Sequence, residues 1–523
     1  MFTAPTALPD DPTTLQQVLR AALAEIERLR LMIAGLQRNR FGRRSEQLGD
    51  EVFQHGVEDL EQSLAEQTAA LEAVAPPPRP PATDVRSPRT EPAKRNRGAL
   101  PAHLPRVELV IDVDDKACPC CGGTLHLIGE DKAEMLDYVP AQLRVRVIRR
   151  PRYGCRACEE AVVQAPAPER PIDGGMATEA LLAHVLVNKY ADHLPLYRQA
   201  QIFARQGVTL HRSTLCNWVG RACWWLAPLH ELVLSTVLTS PKVFADDTTL
   251  PVLDPGRGRT KTGRLWCYAV DNRPWCGPGH PAAAYVYSED RKGEHPQMHL
   301  RGFRGLLQVD GYAGFGSLVT GKTDDAPQLA FCWAHVRRKF YDIHVATQSP
   351  LAEEALRRIA ELYAIEADIR GTPAESRRSV RRQRSRSLVE AMHIWLTEQL
   401  GRISGRSTLA QAMRYALNHW NGLILYLDDG RLEMDTNTVE RAMRPVALGR
   451  KNALFAGADS GGRHWATVAT LIQTAKLNHV DPLAWLTDVL ERVVAGRTKR
   501  NELHQLLPWN WNPAKAVEAP SSA

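Results

Sequence analysis

Apolar residues recur every seven positions from about Thr13 to Arg40, with Leu15, Ala22, Leu29 and Leu36 in one set and Leu19, Ile26 and Ile33 interleaved. Read as heptad positions d and a, these sets predict a parallel two-stranded coiled coil; a helical hairpin folding on itself is the alternative. A weaker repeat at Val57, Leu60, Leu64, Leu71 and Val74 extends this leucine-zipper-like region over residues 13–74. A basic cluster, Arg38, Arg40, Arg43 and Arg44 around Phe41-Gly42, breaks the helical period between the two repeats. Over 75–105 the periodicity gives way to Pro and Arg, which predicts an extended, solvated linker.

Further along, the pattern turns helical from Thr178 to about Leu238. A break at Gln206-Gly207 separates Tyr197–Arg205 from a second helix at 213–225, with Ser213 placed as its cap. Such a pair over 173–240 is either a helix-turn-helix offering Arg212, Ser213, Asn217 and Arg221 to a DNA groove, or two packed helices with no DNA role. From Pro241 the period shortens. Val243 to Ala245 reads as a short strand ending at Asp246, and Leu265 to Val270 and Ala283 to Tyr287 as two more, after a Gly-rich turn. A helix over 294–301, a strand from Leu306 to Asp310, another helix and a strand over 329–333 complete the order βββαβαβ. That order, with one Asp on the first strand and one ending the fourth, is the layout of an RNase H-like core.

The chain has 523 residues, 44 % of them hydrophobic and 24 % charged, which fits a folded protein of several domains and excludes a fibrous or mostly disordered one. Its 66 Lys and Arg against 59 Asp and Glu leave a formal +7, which permits a nucleic-acid partner without demanding one. The start carries no secretory pattern, and the most apolar stretch, from Cys223 to Leu238, is too short and too interrupted to span a bilayer. The expectation is a cytoplasmic protein without membrane contact. In that setting ten cysteines argue for thiols or metal ligands rather than disulfides.

Two knuckles, Cys118-x-x-Cys121 and Cys155-x-x-Cys158, match the needs of a tetrahedral Zn2+ ion in a module over 106–172. The 33 residues between them exceed the usual ribbon spacing, and the alternation Leu143, Val145, Val147 predicts a strand in that gap. Cys120 leaves open which pair of the CPCC run binds.

The acids on the strands suggest a second metal chemistry. In-line cleavage of a phosphodiester needs charge stabilisation on both the attacking and leaving oxygens, the task of a two-metal site, and Mg2+ prefers hard carboxylate oxygens. Carboxylates gathered without a cation raise one another's pKa. Asp310 is the firmest candidate, Asp246 the next, and Glu440 a third on a helix capped by Thr436 or Asn437. Spacing alone does not separate Glu440 from other acids, and Asp247, Asp324, Asp325 and Asp435 compete with all three. Cys332-x-x-His335 stands where the fifth strand meets a helix; a metal site of its own is disfavoured because only two ligands are local.

The blocks FGRRSEQL, CPCCGG, YGCRACE, ADDTTLPVL, LLQVDGYAGF, CWAHVRRKF and NTVERAMRPVALGRKNALFAG run in order through the chain. With TAKLNHVDPLAWLTDVL, they resemble a transposase of the insertion sequence 66 family, a DDE-type enzyme, over nearly everything from Arg38 to Trp511. The resemblance implies that Asp246, Asp310 and Glu440 are the catalytic acids, binding two Mg2+ ions (or Mn2+), and that Zn2+ is structural. It implies a multidomain α+β protein: coiled coil, linker, four-cysteine zinc module, helical segment, RNase H-like catalytic domain over 241–465 with a helical insertion at about 345–430, and a C-terminal extension over 466–512. Asp247 departs from the family, which has Glu after the first Asp. The implied partners are double-stranded DNA (terminal repeats and target), a second copy of the chain, and small accessory proteins of the same element. Arg441, Arg444, Arg450 and Lys451 are candidate DNA clamps, with pairing to nearby acids as the alternative. The run Arg377, Arg378, Arg381, Arg382, Arg384, Arg386 is either a phosphate-contacting stripe or a solvated helical face. A catalytically silent DNA-binding relic and a different RNase H-like nuclease are the competing readings.

Overall fold

The computed structural model describes residues 120, 143–154, 162–254, 256–319 and 326–512. The chain divides into two compact units, residues 1–141 and 142–523. The coiled-coil and linker regions, the four candidate zinc cysteines, and Asp324 and Asp325 lie outside the described residues. In the first unit the description reaches Cys120, which is exposed.

In the second unit, residues 143–150 are exposed and form no strand, contrary to expectation. Val145 is 87 % and Val147 74 % exposed, so the alternation buries no face here. A small antiparallel pair, β1 (Arg152–Gly154) and β2 (Val162–Gln164), follows.

Three helices come next: α1 (Glu179–Tyr190), α2 (Leu196–Arg205) and α3 (Arg212–Leu238). Thr178 caps α1 by accepting the Leu181 N–H at 3.3 Å. Ser213 is not a cap. The helix already starts at Arg212, with His211 in the extended cap position. Nor does α3 stop at Trp225. Leu215, Trp218, Ala222, Leu226, Leu229, Val233 and Val237 form one buried stripe of three- and four-residue steps, and that burial carries the helix past Pro228.

The central sheet has five strands: β3 (Lys242–Asp254), β4 (Arg259–Val270), β5 (Ala282–Ser288), β6 (Leu306–Val309) and β7 (Gln328–Phe331). Two short helices, α4 (Glu294–His299) and α5 (Ala313–Gly316), sit in the connections, giving the chain order βββαβαβ. The spatial order is β5-β4-β3-β6-β7, with β3–β4 and β4–β5 antiparallel and β3–β6 and β6–β7 parallel. The first strand is far longer than the local apolar run suggests. Residues 246–254 pair with β4 along its whole length, so Asp246 lies within the strand instead of ending it. Trp333, expected to end β7, opens a helix instead.

After β7 the chain is helical: α6 (Trp333–Thr347), α7 (Pro350–Ile369), α8 (Ala374–Val380), a π-helical turn (Arg381–Ser385), α9 (Arg386–Arg402), α10 (Thr408–Asn418) and α11 (Trp420–Leu423). These helices close a second core around Trp333, Phe340, Ile359, Met392, Met413 and Leu427. α12 (Asn437–Asn452), α13 (Asp459–Leu477) and α14 (Pro482–Val494) return to the first core. The expected boundary at 465/466 falls inside α13, which packs along β5. Thr470 accepts the Tyr285 N–H at 2.8 Å, and Thr474 both accepts from and donates to Ala283. The helix thereby satisfies the outer edge of the sheet. Among the described residues, no helix is long and apolar enough to cross a membrane.

Candidate active site

The parallel register of β3 and β6 pairs Phe244 with Gln308. Carried two residues further on each strand, it brings Asp246 alongside Asp310. Strand alternation sends Asp247 to the opposite face. There its carboxylate is fully buried, holding Arg264 at 3.0 Å and Arg291 at 2.9 Å. The two adjacent acids thus do different work: Asp247 is neutralised in an internal ion pair, and Asp246 is not.

Asp246 accepts the Asp247 N–H at 2.7 Å. Burial pushes its ionisation up to about 7, reinforced by the carboxylate of Asp310 and then by those of Asp247 and Glu440. Asp310 sits just past β6, and Gly311 makes the turn that folds the Tyr312 N–H back onto its carboxylate at 2.9 Å. Gly311 has φ +112°, and a Cβ there would lie 2.6 Å from the Tyr415 hydroxyl, so no other residue fits. Tyr415, from the helical region, donates to the Asp310 carbonyl at 3.2 Å and carries Lys339 over its ring.

Glu440 is delivered by α12. The segment before that helix is pinned to the sheet: the Gln308 side chain bonds both the N–H (3.0 Å) and the carbonyl (2.9 Å) of Glu433. Trp333 N–H reaches Met434, and Thr436 N–H reaches the Cys332 sulfur at 3.3 Å. Further along, Tyr285 donates to the Ala442 carbonyl at 2.5 Å, and Arg450 binds the carbonyl and hydroxyl of Thr249. Thr436 occupies the cap position of α12 without capping it; its hydroxyl donates instead to Glu440 at 3.5 Å. Asp435, a competitor, is engaged by the amide of Asn437 at 2.6 Å.

Cys332 is the cap residue of α6 and is buried, which pushes its thiol up to about 11. One turn on, His335 Nδ1 lies 3.9 Å from Glu440 Oε1. Of the basic candidates, Arg441 and Arg444 are exposed on α12, Lys451 is exposed at its end, and Arg450 is spent on Thr249. The arginine run in the insertion divides: two arginines are buried and four lie at the surface in ion pairs with solvated acids. Arg377 and Arg381 are buried against Glu366 and Glu433, while Arg378, Arg382, Arg384 and Arg386 pair with Glu375, Asp428 or Asp368.

Gln308, Glu433, Tyr415, Arg264 and Arg291 complete the site and carry no local sequence signal. Only Gly311 could have been found, as the glycine after a strand-borne acid. The donor set of Asp246, Asp310 and Glu440 is all hard oxygen. Its mutual repulsion, visible in Asp246, is what a divalent cation would relieve.

Residues 174–464 match the family described as Transposase IS66 family. Residues 115–159 match its zinc-finger binding domain, 470–509 the IS66 C-terminal element, and 28–109 the Transposase C of IS166 homeodomain. The chain is similar to the uncharacterized protein y4jD of Sinorhizobium fredii, 52 % identical over 82 % of this chain and 84 % of that one. It is also similar to y4qI of the same organism, 42 % identical over 95 % and 92 %.

Proposed function

Since the chain belongs to the IS66 family of transposases, we propose that it binds the terminal repeats of an insertion sequence, cleaves the DNA ends and joins them to target DNA. The observation that carries this reading is the β3–β6 register, which aligns Asp246 with Asp310 while Asp247 is tied to two arginines. The sheet order and directions support an RNase H-like core.

In this reading Asp246, Asp310 and Glu440 hold two Mg2+ ions. Bound there, divalent ions would supply charge stabilisation to the attacking and leaving oxygens, the attacking group being water first and the freed 3′-hydroxyl second. The chain's own residues position these acids. Arg264 and Arg291 fix β3, the Gly311 turn fixes Asp310, and the Gln308–Glu433 clamp sets the approach of α12. Arg441 and Arg444, on the helix that carries Glu440, offer positive charge to the phosphates beside the cut. The zinc-finger region, with the exposed face of α3 bearing Arg212, Ser213, Asn217 and Arg221, recognises the terminal repeats. Region 13–74 pairs two protomers.

Asp310→Asn is the test. It should abolish Mg2+-dependent cleavage and joining of terminal-repeat DNA while leaving binding in a mobility-shift assay intact. Retained joining would refute the assignment.

A further inference from the structure

Sequence spacing supplies two neighbouring ligand types in Cys332 and His335; the fold supplies a third. Cys332, His335 and Glu440 each offer one ligand atom, and the three atoms lie within 4.8 Å of one another. His335 Nδ1 is buried with no hydrogen-bond partner and faces Glu440 Oε1 at 3.9 Å, too far for a direct bond. Tetrahedral zinc, with N and O ligands at about 2.1 Å, sets such edges at about 3.4 Å, so a small inward shift closes the site. The outer contacts are already in place. The Thr436 N–H points at the Cys332 sulfur and the Thr436 hydroxyl at Glu440, the kind of support that orients metal ligands.

We propose that Cys332, His335 and Glu440 form a second metal site, for a thiolate- and imidazole-preferring divalent ion such as Zn2+, with one coordination position open. A sulfur–nitrogen–oxygen set selects Zn2+ over Mg2+, which favours oxygen alone. Glu440 belongs to both sites. An ion held by Cys332 and His335 draws the third acid toward α6 and away from Asp246 and Asp310. Zn2+ is therefore an inhibitor that competes for Glu440. This regulatory half rests on the strand-transfer reading; the site itself does not.

The experiment compares zinc content in the full-length chain and in Cys332→Ser and His335→Ala, after equilibration with micromolar Zn2+ and gel filtration. Each variant should carry one zinc per chain fewer than wild type, whatever the cysteine knuckles hold. Glu440→Gln should weaken that ion at least tenfold. In Co2+-substituted protein, one thiolate-to-metal absorption band should disappear with Cys332→Ser. Equal metal content in wild type and a folded variant, judged by circular dichroism, overturns the site; His335, partly exposed, is the variant of choice if Cys332→Ser unfolds. In a DNA-joining assay in millimolar Mg2+, micromolar Zn2+ should inhibit wild type at least tenfold and inhibit Cys332→Ser far less. Equal inhibition of both overturns the competition. A wild type without joining activity would refute the transposase reading and leave the zinc count to decide the site.

Discussion

Asp246 and Asp247 are neighbours with opposite thermodynamic roles. Removing the charge of Asp247 leaves Arg264 and Arg291 facing a neutral, buried partner, so Asp247→Asn should cost about 3 kcal/mol in a denaturant titration. Asp246→Asn should do the reverse. It removes a carboxylate that burial and Asp310 oppose, so the metal-free variant should unfold at a higher temperature than wild type at pH 8 while losing catalysis. The same shift gives a pH signature. With a folded pKa of about 7, above the ordinary 3.8, the native state keeps a proton that the unfolded chain has released between those values. Stability from this group is therefore full below about pH 4 and lost as pH rises through about 7. Mg2+ should raise the melting temperature more at pH 8 than at pH 6, because at pH 6 it must displace that proton. An equal rise at both would show that Asp246 is not a ligand.

At the level of elements, the sheet depends on side chains that finish its edges. Thr474→Val removes two bonds to Ala283 and should cost about 2 kcal/mol, read as a lower denaturation midpoint with an unchanged slope. How much of this could be seen in the sequence follows from range. The chain order of the five sheet strands was legible because an apolar run marks each of them within a few residues, and Asp310 was legible because an apolar strand leads straight to it. Residues 246–254 were not, since Asp246, Asp247, Thr248 and Thr249 are polar and become strand only by pairing with β4. Ser213 misled for a related reason: a capping residue type is a local hint, and the buried stripe of α3 outweighed it. The burial of Arg377 and Arg381 is not readable locally, because the run's carboxylate partners lie 11 to 56 residues away, Glu375 at three residues excepted.

Across the molecule, the helical insertion and the central sheet share one buried ionic knot. Arg381 donates to both oxygens of Glu366 and to the carbonyls of Tyr426 and Leu432. Arg377 bridges Glu366 to Glu433, whose backbone Gln308 clamps. Lys242, at the start of β3, donates to the Arg431 carbonyl at 2.8 Å. Glu366→Ala strands the buried Arg381 guanidinium, while Arg377 keeps Glu433 at 2.8 Å, and should cost about 3–5 kcal/mol. Because the knot ends at the segment leading to Glu440, amides of residues 431–436 should exchange faster in that variant. Unchanged exchange there would separate the insertion from the site.

Thr470 and Thr474 cover β5, and the short α11 lies so close on β7 that a Cβ at Gly422 would stand 2.8 Å from the Leu329 carbonyl. Excising the insertion to make a smaller protein would strip that cover. The bared backbone of β7 would then be a template on which further chains could dock, and the trimmed protein should precipitate as stacked strands. Linker optimisation would not rescue it. A charged or proline residue placed on β7 would.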